Sequence, residues 1–419
     1  MPPTVTLLTS GTRGDVQPYV ALGLGLQAAG WRVVVATHPE FRSLVEGYGL
    51  TLACFEGNPS EWMTRPGGQS ALTFDGDWRR SARATLDYLR AVQPLYARML
   101  ASAWQACQGA DLLLFGLPTL WGAHIAEALR VISVPAFLQP IGRSRAFPSA
   151  LLPTRLSLGP AYNWLTHWLV EQAVWQPWRA LINQWRRETL RLPPAPFWGL
   201  ASAKTILYGY SSRVAPKPAD WPASYKISGY WLLDEDAKWT PSDDLLRFIE
   251  TGSPPLFVGF GSPGLRWPQE TLAIIIEALK RCGLRAVMTL PPVLQSEVAK
   301  LPTSVFPAIS LPHDWLFPRL AAVCHHGGAG TTAAGLRAGL PTLIMPMAID
   351  QFFWGERVQA LDVGPRPLPL RSLTVEKLAP ALDALVHDES MQARAKMLGQ
   401  AIRAEDGVKD GVAVIGEAR

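Results

Sequence analysis

Twice along this chain a short apolar run ends in a glycine-rich turn that opens a helical pattern, and this repeated unit restricts the fold more than any other feature. The first unit runs from Thr4 to Thr9, turns through Ser10-Gly11-Thr12-Arg13-Gly14-Asp15, and continues as a helical pattern to Ala29 that stops at Gly30. The second runs from Ala321 to Cys324, turns through His325-His326-Gly327-Gly328-Ala329-Gly330-Thr331-Thr332, and continues through Ala333, Leu336 and Ala338. Around them lie further βα units: Arg32 to Thr37, Asp111 to Phe115 before Trp121 to Leu129, Val134 to Leu138, Leu256 to Phe260 before Pro268 to Arg281, Arg285 to Leu290, and Thr342 to Met345. Helices from Thr374 to Val386 and near Met391 to Ala404 follow. Such alternation predicts an α/β protein with parallel, doubly wound sheets. A chain of 419 residues is too long for one compact core and suits two domains of about 150 to 220 residues. The polar piece Asp234-Glu235-Asp236-Ala237-Lys238 reads as the linker. The expectation is two Rossmann-like domains, 1–235 and 236–419, facing across a cleft into which the C-terminal strand ends point, with the last helix free to cross back to the first lobe.

Composition narrows the partners. Hydrophobic residues are 48% of the chain and charged ones 17%, which fits a globular protein with ample core. Thirty-nine Lys and Arg against 34 Asp and Glu suit an anionic ligand or an anionic membrane surface, and no basic run or motif points to nucleic acid. The four cysteines are far apart, with no C-x-x-C pair and no signal-peptide pattern before Thr4, so a reduced, cytoplasmic protein is expected. No run of eighteen apolar residues is uninterrupted, which leaves peripheral contact as the expected form of any membrane association.

Chemistry concentrates in three places. The glycines of His325 to Thr332 let a ligand approach the backbone, and the free N–H groups at a helix start form an anion site suited to a diphosphate, with a histidine beside it to donate a charge-assisted bond. A tight turn with polar surface histidines is the bland alternative. The segment matches neither the P-loop nor the dinucleotide fingerprint. Asp350-Gln351 offers a carboxylate and an amide for the vicinal hydroxyls of a sugar, or else a helix cap. Asp15 is placed to cap the first helix or to act as general base towards an acceptor hydroxyl, the helix N-terminus favouring its ionised form. Asp75-Gly76-Asp77 has cation-binding spacing but reads as a turn, and His313 with His325 and His326 matches no zinc pattern, so no metal is expected. Trp164, Trp168, Trp175, Trp178 and Trp185 have spacings of 4, 7, 3 and 7, which reads as one helical stripe packed into a core. The same stripe would serve equally as an acceptor-pocket wall or, with Arg179, Arg186 and Arg187, as a membrane-surface contact.

Taken together, Gly11-Thr12-Arg13-Gly14-Asp15-Val16-Gln17-Pro18, Pro312-His313-Asp314-Trp315-Leu316-Phe317, His325 to Thr332 and Asp350-Gln351-Phe352-Phe353-Trp354-Gly355-Glu356-Arg357-Val358 resemble the sterol 3-β-glucosyltransferases, within the wider GT-B, inverting nucleotide-diphosphosugar glycosyltransferases. Trp185 to Leu190 and Gly229 to Glu235 resemble that group too, so the similarity runs through nearly the whole chain. The resemblance implies that Asp15 is the catalytic base. It implies that Gly261 and Ser262 lie near the donor phosphates and that His313, Asp314 and Trp315 surround uracil and ribose. It further implies that His325, Gly328, Ala329, Gly330 and Thr331 surround the diphosphate, with Asp350 and Gln351 on the glucose hydroxyls. The expected partners are a UDP-sugar donor and a hydrophobic small-molecule acceptor, with Arg13, Trp164, Trp168 and Trp175 as acceptor-side candidates. UDP-glucose is expected as co-substrate, with no cofactor and no metal. A soluble natural-product aglycone, sugar-nucleotide epimerisation and an inactive lipid-binding relative are the alternatives.

Overall fold

The computed structural model describes residues 2–57, 78–153, 158–200, 203–234, 239–259, 269–290 and 292–418. Two parallel sheets organise them. The first contains β1 (Thr4–Leu8), β2 (Arg32–Thr37), β3 (Thr51–Cys54), β4 (Leu112–Phe115), β5 (Ile132–Phe137), β6 (Ile206–Tyr208) and β7 (Tyr225–Ile227), in the order β3-β2-β1-β4-β5-β6-β7. The second contains β8 (Leu256–Gly259), β9 (Ala286–Thr289), β10 (Val305–Ala308), β11 (Ala322–His325) and β12 (Thr342–Ile344), in the order β10-β9-β8-β11-β12. Every pairing is parallel, and β4, β8 and β11 are buried throughout, as strands covered by helices on both faces must be. This is the α/β, two-sheet architecture that the alternating pattern predicts.

In each sheet the strand order reverses beside a glycine-rich turn. Chain connections diverge from β1 towards β2 on one side and β4 on the other, and likewise around β8 and β11, leaving crevices at the C-terminal strand ends. The Ser10–Thr12 turn leads into the Arg13–Ala28 helix from one crevice, and the His326–Gly328 turn leads into the Ala329–Ala338 helix from the other.

The tail of the chain returns to the first lobe. Ile415 joins the core of Leu22, Leu26 and Trp231, and Val408 and Val412 pack against it. Close approach is allowed by glycines: a Cβ on Gly25 would meet Val408 Cγ1 at 2.4 Å, and one on Gly407 would meet the Gly229 carbonyl carbon and the Tyr230 oxygen at 2.5 Å. Because those obstacles at Gly407 are backbone atoms, they cannot rotate away. Gly407→Ala is expected to destabilise the protein by about 1–3 kcal/mol, read as a lower midpoint in urea unfolding followed by tryptophan fluorescence.

The tryptophan stripe divides. Pro177 cannot continue a helix, so the chain turns at residues 176–178 between the helices Pro160–Trp175 and Arg179–Trp185. Trp175, Trp178 and Trp185 then pack into one core cluster, with Trp178 stacked on Tyr96 at 4.2 Å. Trp164 and Trp168 face outward instead, under Arg143 and against Trp198 respectively. The expectation of a single buried stripe holds only for its second half.

Candidate active site

The cleft between the sheets holds a cavity of about 830 Å³. Arg13, Gly14 and Gln17 line it from the first lobe, and His313, Asp314, Gly330 and Thr331 from the second. Arg13 therefore stands beside the donor-side candidates, where its guanidinium donates to Gln17 Oε1 at 2.9 Å.

Asp15 occupies the third position of its helix and caps it. Its Oδ2 accepts from the Thr12 N–H at 2.7 Å and the Thr12 hydroxyl at 3.1 Å, a reciprocal cap. Gly11, at φ +125°, makes room: a Cβ there would lie 2.3 Å from that oxygen. Burial raises the Asp15 carboxyl above its ordinary value, and the Thr12 hydrogen bonds only partly offset this. Helix-terminal stabilisation of the anion, expected from position alone, is thus outweighed by loss of water.

Asp350, on the other lobe, lies close enough to Asp15 for their charges to interact. It stands at the N-cap of the Gln351–Ala360 helix, yet its side chain caps nothing; its Oδ2 accepts the Trp354 indole N–H at 3.1 Å. Burial pushes its carboxyl up to about 6, hydrogen bonds from Trp354 and Gln139 pull it down, and the charge of Asp15 raises it further. That last influence brings the two carboxylates into one electrostatic field. Gln351 is anchored through its amide oxygen. Its Oε1 accepts the Met347 and Ala348 N–H groups at 2.7 and 3.1 Å, fixing the loop that presents Asp350.

His325 is the last residue of β11 and fully buried. Its Nδ1 accepts the Gly327 N–H at 3.0 Å, which assigns the remaining proton to Nε2, a buried nitrogen without a hydrogen-bond partner. His326 Nδ1 is likewise buried and unpaired, and its ring lies against Gly328, where a Cβ would meet Nε2 at 2.6 Å. Gly327 needs φ +96°, and Gly328 is the N-cap of the Ala329–Ala338 helix. Gly330 and Thr331 of its first turn line the cavity, so free N–H groups face the cleft. Burial lowers His325 well below its usual range and takes His313 and His326 down to about 4. Burial thus favours the neutral forms of these histidines, and the helix terminus supplies positive potential of its own.

His313 lies in the cavity wall, stacked on Phe317 at 4.5 Å. Asp314 Oδ1 accepts the Trp315 N–H at 2.9 Å, while the Trp315 ring packs with Trp239 at 5.0 Å and under Arg319 at 4.4 Å. Trp175 donates its indole N–H to the Phe197 carbonyl at 2.9 Å. Gly261, Ser262, Asp75-Gly76-Asp77 and the linker residues 235–238 lie outside the described residues. Among the described residues no group of three or more His, Cys, Asp or Glu is arranged to hold a metal ion, and no helix is long and apolar enough to cross a membrane. Two contributors escaped sequence reasoning: Gln139 and Trp354, which hold Asp350. A glutamine following a strand and a tryptophan one turn after an aspartate give no signal until the fold brings them together.

Two α/β lobes with a glycine-rich helix start beside the cleft recur in known proteins. Residues 5–145 match the glycosyltransferase family 28 N-terminal domain and residues 273–410 the erythromycin biosynthesis protein CIII-like C-terminal domain. The solved glycotransferase of kitacinnamycin superposes with a TM-score of 0.72 at 18% identity, covering 100% of this chain and 99% of that one. The chain shares the fold of that solved glycosyltransferase. Its sequence is similar to sterol 3-beta-glucosyltransferases: 39% identical over 425 residues to that of Yarrowia lipolytica and 37% over 440 to that of Cryptococcus neoformans var. neoformans serotype D. These alignments take in 98% and 99% of this chain but only 28% and 27% of the relatives' length.

Proposed function

We propose that this protein transfers glucose from UDP-glucose to the hydroxyl of a sterol-like acceptor with inversion at the anomeric carbon, and without a metal ion. The observation that carries the reading is the pair Asp15 and Asp350, brought into one field from opposite lobes beside the start of the Ala329–Ala338 helix. Asp15 takes the acceptor proton as the hydroxyl attacks from the first-lobe side, which opposes the departing UDP and inverts the centre. Helix N–H groups and the His325 Nε2–H receive the diphosphate, whose charge grows as the bond breaks. Asp350 holds sugar hydroxyls. In this reading the histidines and the helix terminus do the work a cation does elsewhere, and an arriving diphosphate raises the histidine pKa values towards protonation. Sequence kinship supports the sterol class of acceptor. The four free cysteines, two of them buried, suit a reducing cytoplasmic setting.

Incubation with UDP-glucose, with and without cholesterol or ergosterol, tests the proposal. UDP release that requires sterol, together with a β-linked product by NMR, is expected. Release that needs a soluble polyketide or flavonoid would replace the acceptor, and sugar conversion without any acceptor would replace the reaction.

A further inference from the structure

From the outward face of the Pro160–Trp175 helix and the 197–200 segment fastened to it, we infer a docking surface for an anionic lipid bilayer. A helix facing water ordinarily carries charge. Here the exposed row one turn apart reads Ala161, Leu165, Leu169 and Ala173, and the helix holds a single charged residue, Glu171, which Arg143 neutralises in a bidentate contact. Leu165 is 44% exposed, Leu169 50%, Phe197 52% and Trp198 59%.

These side chains are held outward. Trp175 and Gln176 donate to the Phe197 carbonyl at 2.9 and 3.0 Å and Gln172 to the Trp198 carbonyl at 3.3 Å, so the backbone is pinned while both rings face out. An ordered apolar patch of this kind is uncommon on a surface that meets only water. At its rim Arg179 lies over the Phe197 ring at 4.4 Å, and Arg143, its charge met by Glu171, lies over Trp164 at 5.3 Å. Leucines to enter the acyl boundary, indoles for the headgroup level and Arg179 for a lipid phosphate are the chemistry that recognises a negatively charged bilayer.

The opposite face of the same helix carries the 145–149 loop. Asn163 donates to the Arg145 carbonyl at 3.0 Å, Thr166 accepts the Ser149 N–H at 2.9 Å, and His167 bonds the Phe147 carbonyl at 3.1 Å. Phe147 in turn packs at 5.6 Å on Phe353 of the Gln351–Ala360 helix. The helix thus links a bilayer on its outer face to the loop that packs on the helix following Asp350. The choice of a lipid surface over another apolar partner rests on the sterol reading.

Sedimentation of the full chain with extruded vesicles tests the surface without donor or acceptor. Binding is expected to vesicles with about 30% phosphatidylserine and to be weaker on phosphatidylcholine alone. Leu165→Ser/Leu169→Ser should lower the partition coefficient about tenfold or more. Phe197→Ser/Trp198→Ser, on a different segment, should do the same if the first pair perturbs folding. Both should turn over sterol delivered in cyclodextrin as the parent does and lose turnover on vesicle-embedded sterol. Parent protein that stays in the supernatant, double variants that pellet as the parent does, or a dimer that both variants abolish would overturn the inference. Vesicle binding with no transfer to sterol in either form would instead overturn the acceptor reading and leave the surface standing.

Discussion

Asp15→Asn is expected to reduce kcat by about 10³-fold while the affinity for UDP-glucose stays within about threefold, because it removes a proton acceptor and little else. The amide oxygen of an asparagine can still accept from the Thr12 N–H and hydroxyl, which now bond Asp15 Oδ2, so the cap persists. Helix and turn are therefore retained, and the donor pocket on the other lobe is untouched. What the variant cannot do is take a proton from an attacking hydroxyl. Burial holds the Asp15 carboxyl above the ordinary carboxylate range, so the parent needs a higher pH to fill the basic form than a solvated aspartate would. Isothermal titration with UDP-glucose and single-turnover kinetics separate the two readouts. Turnover near the parental rate would remove Asp15 from the base role, and loss of donor binding would show that the variant disturbs the cleft as a whole.

Much of the fold was legible because its signals are local. β1 and β11 are apolar, β-branched runs ended by glycines, and those glycines sit where φ must be positive or a Cβ has no room, as at Gly11 and Gly327. Pieces that went unread have contrary local chemistry. β10 contains Pro307 and is half-exposed along three of its four residues, so neither propensity nor burial marked it. The Gly407–Glu417 helix carries three glycines, which argue against a helix until Gly407 comes against Gly229 and Gly411 against Leu22 and Trp231. The Trp78–Ala106 helix has Pro94 within it and followed a stretch read as loop. At the site, residue types and spacing picked out Asp15, His325 and Asp350, whereas the neutral state of the histidines could not be read from sequence. Charge state depends on how much water the fold removes, and that is a property of both lobes together.

Asp350→Asn separates function from stability in opposite directions. Its carboxylate is proposed to hold two sugar hydroxyls, and charge-assisted bonds of this kind are worth roughly 1.5–3 kcal/mol each, so kcat/KM for UDP-glucose is expected to fall about 100-fold while inhibition by UDP, which lacks the sugar, is unchanged. The parent should show an acid limb as pH falls through about 6, where Asp350 takes up its proton, and the variant should lose that contribution. Stability runs the other way. An unfolded aspartate ionises near 3.8, the folded one near 6, so between these values the folded state binds a proton that the unfolded state has released. Stability contributed by this group is therefore greatest at low pH and falls as pH rises through that window. At pH 7.5 the parent carries the cost of a carboxylate withdrawn from water beside Asp15, and an asparagine, still able to accept the Trp354 N–H, does not. Thermal melting of the variant at pH 7.5 should match or exceed that of the parent, with the advantage disappearing below about pH 4, where the parental group is protonated in both states. A variant that melts lower at pH 7.5 would mean that the carboxylate is held by more favourable contacts than Trp354 and Gln139, and one that weakens UDP inhibition equally would move Asp350 from the sugar to the nucleotide.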